Sequence, residues 1–273
     1  RFMSPSGQGA PFAGILALPQ DAVDRPLAGL ARDYPDGHRT GRHSHGRAQL
    51  LYATAGVMRI ATDAAGFIVP PGRALWVPAG LAHAVTMQGQ VAMRALLLRA
   101  DAAAAGPRAT AVLAVSPLLR ELILAACAEP PEWDLAGRAG HVAALILDEI
   151  ARAPTLPLSV PAVRDPRLRR LAEALQADPA SPLTLEGWAG ASGASARTLT
   201  RLFRRETGMS FGRWRQMLRL VEAAALLAQG VPPARAAAAV GYASASAFSA
   251  AFRTAFGVTP GGVAQGARGD GQP

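Results

Sequence analysis

Four prolines fall within the stretch APTLPLSVPAVRDP, residues 153–166. Proline fixes φ and removes a backbone donor, so no long helix or central strand can run through such a stretch. It reads as a linker that divides the chain into two folding units. At 273 residues the chain is long enough for each unit to bury its own core. The textures on the two sides differ. Residues 48–99 carry short apolar runs (AQLLYA, GVMRIAT, GFIVPPG, ALWVPAG, AVTM and VAMRALLL) separated by Gly and Pro. That rhythm predicts a sandwich or barrel of short strands rather than a parallel sheet. SPLLRELILAACA and GRAGHVAALILDEIARA follow with helical spacing, as helices that pack on the barrel or on a partner subunit.

Beyond the linker every segment reads as helix. Asp165 caps DPRLRRLAEALQA, with Pro166 at its first position. TLEGWAGASG ends at Gly193, and SARTLTRLFRRETG runs from Ser195 as N-cap to Gly208. Residues 210–229 form a long apolar-striped helix, after which PPARAAAAVGY and SASAFSAAFRTAFG repeat the short-helix, turn, helix pattern. Two helix-turn-helix units joined by one long helix is the architecture this order predicts.

Charge separates the halves as well. All 28 basic residues are arginine; residues 1–154 hold 14 Arg against 12 acids (+2), and residues 155–273 hold 14 against 7 (+7). A basic excess confined to the helical half points to a polyanionic partner there. No apolar run reaches the ~18 residues of a membrane span. The start, RFMSPSGQGAPFAG, lacks the basic flank and apolar stretch of a secretory signal. A lone cysteine, Cys127, excludes an intramolecular disulfide and any Cys-rich zinc finger. A cytoplasmic protein is the simple expectation.

In SARTLTRLFRRETG, Leu199, Leu202 and Phe203 share one face, which leaves Arg197, Thr200, Arg201 and Arg204 projecting from it. Arginine on a helix in the major groove grips guanine edges bidentately or neutralises phosphate; the same residues would also suit a solvated basic face. TLTRLFRRETGMSF (198–211) and VGYASASAFSAAFRTAFGVTP (240–260) resemble the DNA-binding domain of the AraC/XylS family of bacterial transcription regulators. Gly241, Tyr242, Ser244, Ser246, Phe248, Phe252, Gly257, Thr259 and Pro260 fall at the family's positions. The resemblance, over residues 166–260, implies two recognition helices in successive major grooves. The second helix offers Ala245, Ser246, Ser249 and Ala250, with Arg253 for phosphate, so the first helix is expected to carry most base recognition. The family's final aromatic-Arg pair is replaced by GGVAQGARGDGQP, which reads as disordered after Pro260.

In the other half, HRTGRHSHGRAQ places His43, His45 and Gln49 at even spacing, which puts them on one face of an unbulged strand. His83, after the turn-rich VPAGLAH, is the candidate third imidazole. Three such ligands and an open position suit zinc, nickel, iron or copper. Gly37-x5-His43-x-His45-x3-Gln49-x6-Gly56 resembles the first cupin motif, and Gly72-x5-Pro78-x-Gly80-x2-His83 the second. Carried over, the metal set is His43, His45, Gln49 and His83. Gln49 replaces the family's glutamate and Met87 its closing asparagine. A neutral amide is a weaker ligand and cannot act as a general base. Histidines at a barrel mouth can instead hydrogen-bond an organic effector or each other. Tyr52 and Trp76 are candidates for the pocket or for the core. His38 reads as solvated, His141 as packed or interfacial, and Met58, Met87 and Met93 as core.

The fold class expected is therefore two-domain. It comprises an N-terminal all-β cupin (jelly-roll) barrel with added helices and a C-terminal all-α domain of two helix-turn-helix motifs joined by a long helix. Expected boundaries are 1–110 for the barrel, 111–153 for helices that dimerise or pack, 154–165 for the linker, 166–262 for the DNA-binding domain and 263–273 for a disordered tail. The leading reading is a regulator that binds a double-stranded DNA operator and senses a small molecule or one divalent transition metal. RNA polymerase and a second copy of the chain are the expected protein partners, with no membrane partner. A metal-dependent cupin enzyme and a constitutive DNA-binding regulator with a vestigial barrel are the alternatives.

Overall fold

A computed structural model describes residues 12–263 of the chain. Its N-terminal half is built on two long antiparallel strands, β4 (Ala48–Thr62) and β7 (His83–Leu98). Four of the short apolar runs seen in the sequence merge into these two. Gly56 and Gly89 had the look of turn residues, but here Gly56 lies in a β-bulge, where β4 shifts register against β7 between Ala53 and Val57. Its φ is +73°, and a Cβ there would stand 2.5 Å from the Gln90 carbonyl oxygen. A bulge bends and twists the strand without ending it, so the sheet curls where sequence spacing suggests that it stops.

The remaining strands complete the barrel. β2 (Leu27–Tyr34) and β3 (Arg42–Ser44) pair with β7; β1 (Phe12–Ile15) lies parallel to β3. β5 (Ala65–Val69) and β6 (Arg73–Val77) pair with β4, and β8 (Ala111–Ala114) extends the sheet from β6. Cross-strand register separates two faces. Leu51, Leu75, Val77, Val85 and Met87 point inward, together with Met58 and Met93. Leu50, Tyr52, Ala74 and Trp76 point outward, under α1 (Pro117–Ala128) and α2 (Arg138–Arg152). α1 lies so close to β2 that a Cβ on Gly29 would meet the Ala126 carbonyl oxygen at 2.4 Å. These helices cover the barrel, and they leave Leu118 and Leu145 exposed.

The proline-rich stretch is not a free linker. β9 (Thr155–Leu156) pairs with β8, and β10 (Ser159–Pro161) pairs with β5. Its prolines are accommodated because these strands are short and peripheral, where a missing donor costs little. Leu158, Val160 and Val163 are buried, so the apolar residues between the prolines supply the anchoring that proline content alone conceals.

The helical half follows the cap signals closely. α3 (Pro166–Ala177) starts with the Asp165 side chain accepting from the Arg167 N–H. α4 (Leu185–Ser192) and α5 (Ala196–Thr207) make the first helix-turn-helix, and α5 stops at Gly208 with φ +70°. α6 (Phe211–Ala228) leads to the second unit, α7 (Pro233–Ala239) and α8 (Ala245–Phe256). Phe203 packs edge-on against Trp214, and Phe248 packs against Phe252 in the second unit, all four buried. Residues 260–263 turn helically with Pro260 buried, where disorder was expected; the Thr259 hydroxyl accepts from the Gly262 N–H at 3.1 Å. Residues 264–273 of that expected tail lie outside the described residues. No helix among the described residues is long and apolar enough to cross a membrane.

Candidate metal centre and nucleic-acid interface

His43 lies on β3 directly opposite His83, the first residue of β7. His45 follows β3, and a bend at Gly46 and Arg47 separates it from β4. His43, His45 and Gln49 therefore do not share one unbulged strand, although their even spacing suggests it. The histidines converge nonetheless. Their ring centroids are 4.6 Å apart for His43 and His83, 4.9 Å for His43 and His45, and 5.8 Å for His45 and His83. One ligand nitrogen from each lies within 4.8 Å of the others, and all three residues are buried.

Backbone carbonyls fix the tautomer of each ring. Nδ1 of His43 lies 2.7 Å from the Gly41 oxygen, that of His45 lies 3.0 Å from Leu16, and that of His83 lies 3.0 Å from Leu81. A carbonyl only accepts, so each Nδ1 carries a proton, and in the neutral ring the lone pair is left on Nε2. An outer hydrogen bond of this kind orients a metal-binding imidazole. Burial lowers the pKa of His83 to about 4 and also lowers that of His45, with the neighbouring His43 adding to both effects. Neutral imidazole is the form that ligates.

Gln49 lies on β4 opposite Val77 and Leu97, on the inward face. It is buried, and its Oε1 has no hydrogen-bond partner among the described residues. A buried acceptor without a partner on the inward face, together with three oriented lone pairs, is compatible with a bound cation. The residues present thus fit a borderline divalent metal such as zinc, nickel, iron or copper. Of the two roles weighed for Tyr52 and Trp76, the structure gives the core one: both are buried in the outward cluster under α1 and α2, one residue out of phase with the barrel interior. His38 is exposed and stacks on Tyr34 at 4.8 Å, and His141 is exposed on α2. Sequence reading missed the carbonyls of Leu16, Gly41 and Leu81, because a backbone acceptor leaves no residue-type signature. It also missed Arg47, a buried cation that donates to the carbonyls of Val23 and Arg25.

In the helical half, Leu199, Leu202 and Phe203 are buried, and Arg197, Thr200, Arg201 and Arg204 are exposed along α5. The Thr200 hydroxyl donates to the Ala196 carbonyl at 2.9 Å, so its oxygen faces a partner mainly as an acceptor. On α8, Ser246 and Arg253 are exposed and Ser249 is half-buried. Arg205 and Arg213 add exposed cations beside α5 that the motif reading passed over.

A sheet barrel carrying an inward ligand cluster, followed by two helix-turn-helix units with exposed recognition faces, defines a ligand-binding transcription regulator. Residues 27–186 match a family described as the AraC-like ligand binding domain, and residues 188–266 match a helix-turn-helix domain. The HTH-type transcriptional regulator NimR of Escherichia coli (strain K12) is 32% identical over 219 residues, covering 80% of each chain. The HTH-type transcriptional regulator RipA of Corynebacterium glutamicum is 41% identical over 109 residues, 40% of this chain and 32% of that one. Among solved structures, an AraC-type regulator from Chromobacterium violaceum is 29% identical and covers 40% of this chain and 95% of that one, at a TM-score of 0.36. ToxT from Vibrio cholerae is 8% identical over 89% of this chain and 99% of that one, at a TM-score of 0.38. This chain belongs to the AraC family of DNA-binding transcriptional regulators, with an N-terminal ligand-binding domain. That family comprises transcription regulators, not enzymes.

Proposed function

We propose that the barrel senses a divalent transition metal, or a small molecule bound through one, at His43, His45 and His83, with Gln49 as an additional weak donor. The observation that carries this reading is the set of three Nε2 lone pairs, each oriented by an Nδ1 hydrogen bond to a backbone carbonyl. When bound, the metal would supply a Lewis-acid anchor for an effector. The chain's own residues orient the ligands, bury them and favour the neutral form of His45 and His83. Occupancy that favours one arrangement of the protein would then shift its binding to DNA or to RNA polymerase. Arg197, Thr200, Arg201 and Arg204 of α5 would face one major groove, and Ser246, Ser249 and Arg253 of α8 the next. The reading places the protein in the cytoplasm on a double-stranded operator, with dimerisation through the helices of residues 111–153.

Metal uptake tests it directly. Dialysed protein offered zinc or nickel should retain about one equivalent by elemental analysis. His83→Ala should lower affinity by about 10–100-fold or more, since one of few ligands is gone. Protein that takes up neither metal would reject the reading.

A further inference from the structure

Beside apolar packing, a salt bridge joins the two halves at Arg59 and Glu222. Arg59, on β4, donates through both terminal nitrogens to Glu222 of α6, at 2.8 Å to Oε1 and 2.6 Å to Oε2. The Arg59 Nε donates to Gln88 Oε1 at 2.8 Å, which fixes the plane of the guanidinium. Both charged side chains are nearly buried, at 10% and 11% exposure. Arg59 pairs with Thr86 across β4 and β7, and Thr62, three residues along, pairs with His83.

The surroundings of this contact are not filled. Cavities of about 570 Å³ and 250 Å³ lie on either side of Gln176, the second of them lined by Arg59 and Glu222. A third, of about 280 Å³, separates the turn at Pro70 and Pro71 from Phe252 and Phe256. Apolar packing with such gaps tolerates more than one pose, because it is non-directional. A bidentate pair in low dielectric tolerates very few, and its main contribution is orientation rather than net stability.

We propose that Arg59 and Glu222 form a latch that selects one docking pose of the DNA-binding half against the barrel, and that opening it releases α6 together with both helix-turn-helix units. The junction between the halves should report the state of the latch. Pro161 accepts from the Trp214 indole N–H at 2.9 Å, and the backbone N–H groups of Arg164 and Asp165 donate to Glu206. Arg164 is exposed, but its backbone N–H and that of Asp165 are held by Glu206, so trypsin cleavage after Arg164 should speed up when this junction loosens.

Full-length protein carrying Arg59→Glu or Glu222→Arg should be cut at Arg164 at least about ten-fold faster than the parent, because each sets two like charges against one another at a nearly buried point. The double reversal Arg59→Glu/Glu222→Arg should return to within about three-fold of the parent rate, as a pairwise coupling requires. Circular dichroism establishes which variants remain folded. Should either reversal unfold, Glu222→Gln, which keeps size and removes charge, carries the test and should also be cut faster. Equal rates in parent and folded variants, or a double reversal cut as fast as the singles, would overturn the proposal.

Discussion

At Gln49 a single atom separates this site from a carboxylate-bearing one. Its Oε1 is buried and unpartnered among the described residues, and it sits on the inward face opposite Val77. An amide oxygen carries only a partial charge, whereas a carboxylate brings a full one to a dication. Gln49→Glu should therefore tighten zinc binding by about ten-fold or more at neutral pH, measured by competition with a chelator. An unchanged affinity would place Gln49 outside the coordination sphere. At Cys127 the chemistry is inert by contrast, since burial pushes its thiol up to about 11. The motif spacing identified His43, His45 and His83 without any structure. It could not show the carbonyls that orient them, since those belong to positions whose side chains are irrelevant. For Tyr52 and Trp76, residue type left pocket and core both open, and strand parity decides for the core by turning them outward under the helices.

Among the elements, helices were easier to read than strands. Caps and stops such as Asp165, Ser195 and Gly208 act on the backbone next to them, so sequence neighbours decide where a helix begins and ends. Strand limits depend on a partner far along the chain. Gly56 became a bulge because β7 continues past it, and the proline-rich segment became β9 and β10 because β8 and β5 had free edges. Contact between elements can be just as specific. Gly29→Ala would drive a Cβ into the Ala126 carbonyl oxygen and to within 2.6 Å of the Cys127 Cα, both backbone atoms of α1. Denaturant unfolding should report a loss of about 1–3 kcal/mol, the range for overpacking. An unchanged midpoint would mean that α1 shifts freely on the sheet.

Across the whole molecule, the two helix-turn-helix units present unequal exposed faces. α5 exposes Arg197, Arg201 and Arg204, whereas α8 exposes small side chains and Arg253. Arg201→Ala should weaken binding to a duplex selected by the protein from random sequence by about 1–3 kcal/mol, as loss of a bidentate contact does. Ser249→Ala should cost less in the same anisotropy titration. Equal affinity of Arg201→Ala and the parent would move base reading away from α5. The sequence by itself determined the division into a strand-rich and a helical half, the basic excess of the latter, both helix-turn-helix units and the three histidines. Each of these is written in local periodicity, charge or spacing. Only the tertiary structure decided which face of the sheet is interior, how the rings are held and where the halves join. Arg59 and Glu222 are 163 residues apart and share no motif. Their pairing exists only because a curled sheet and a helix present opposite charges at one buried point.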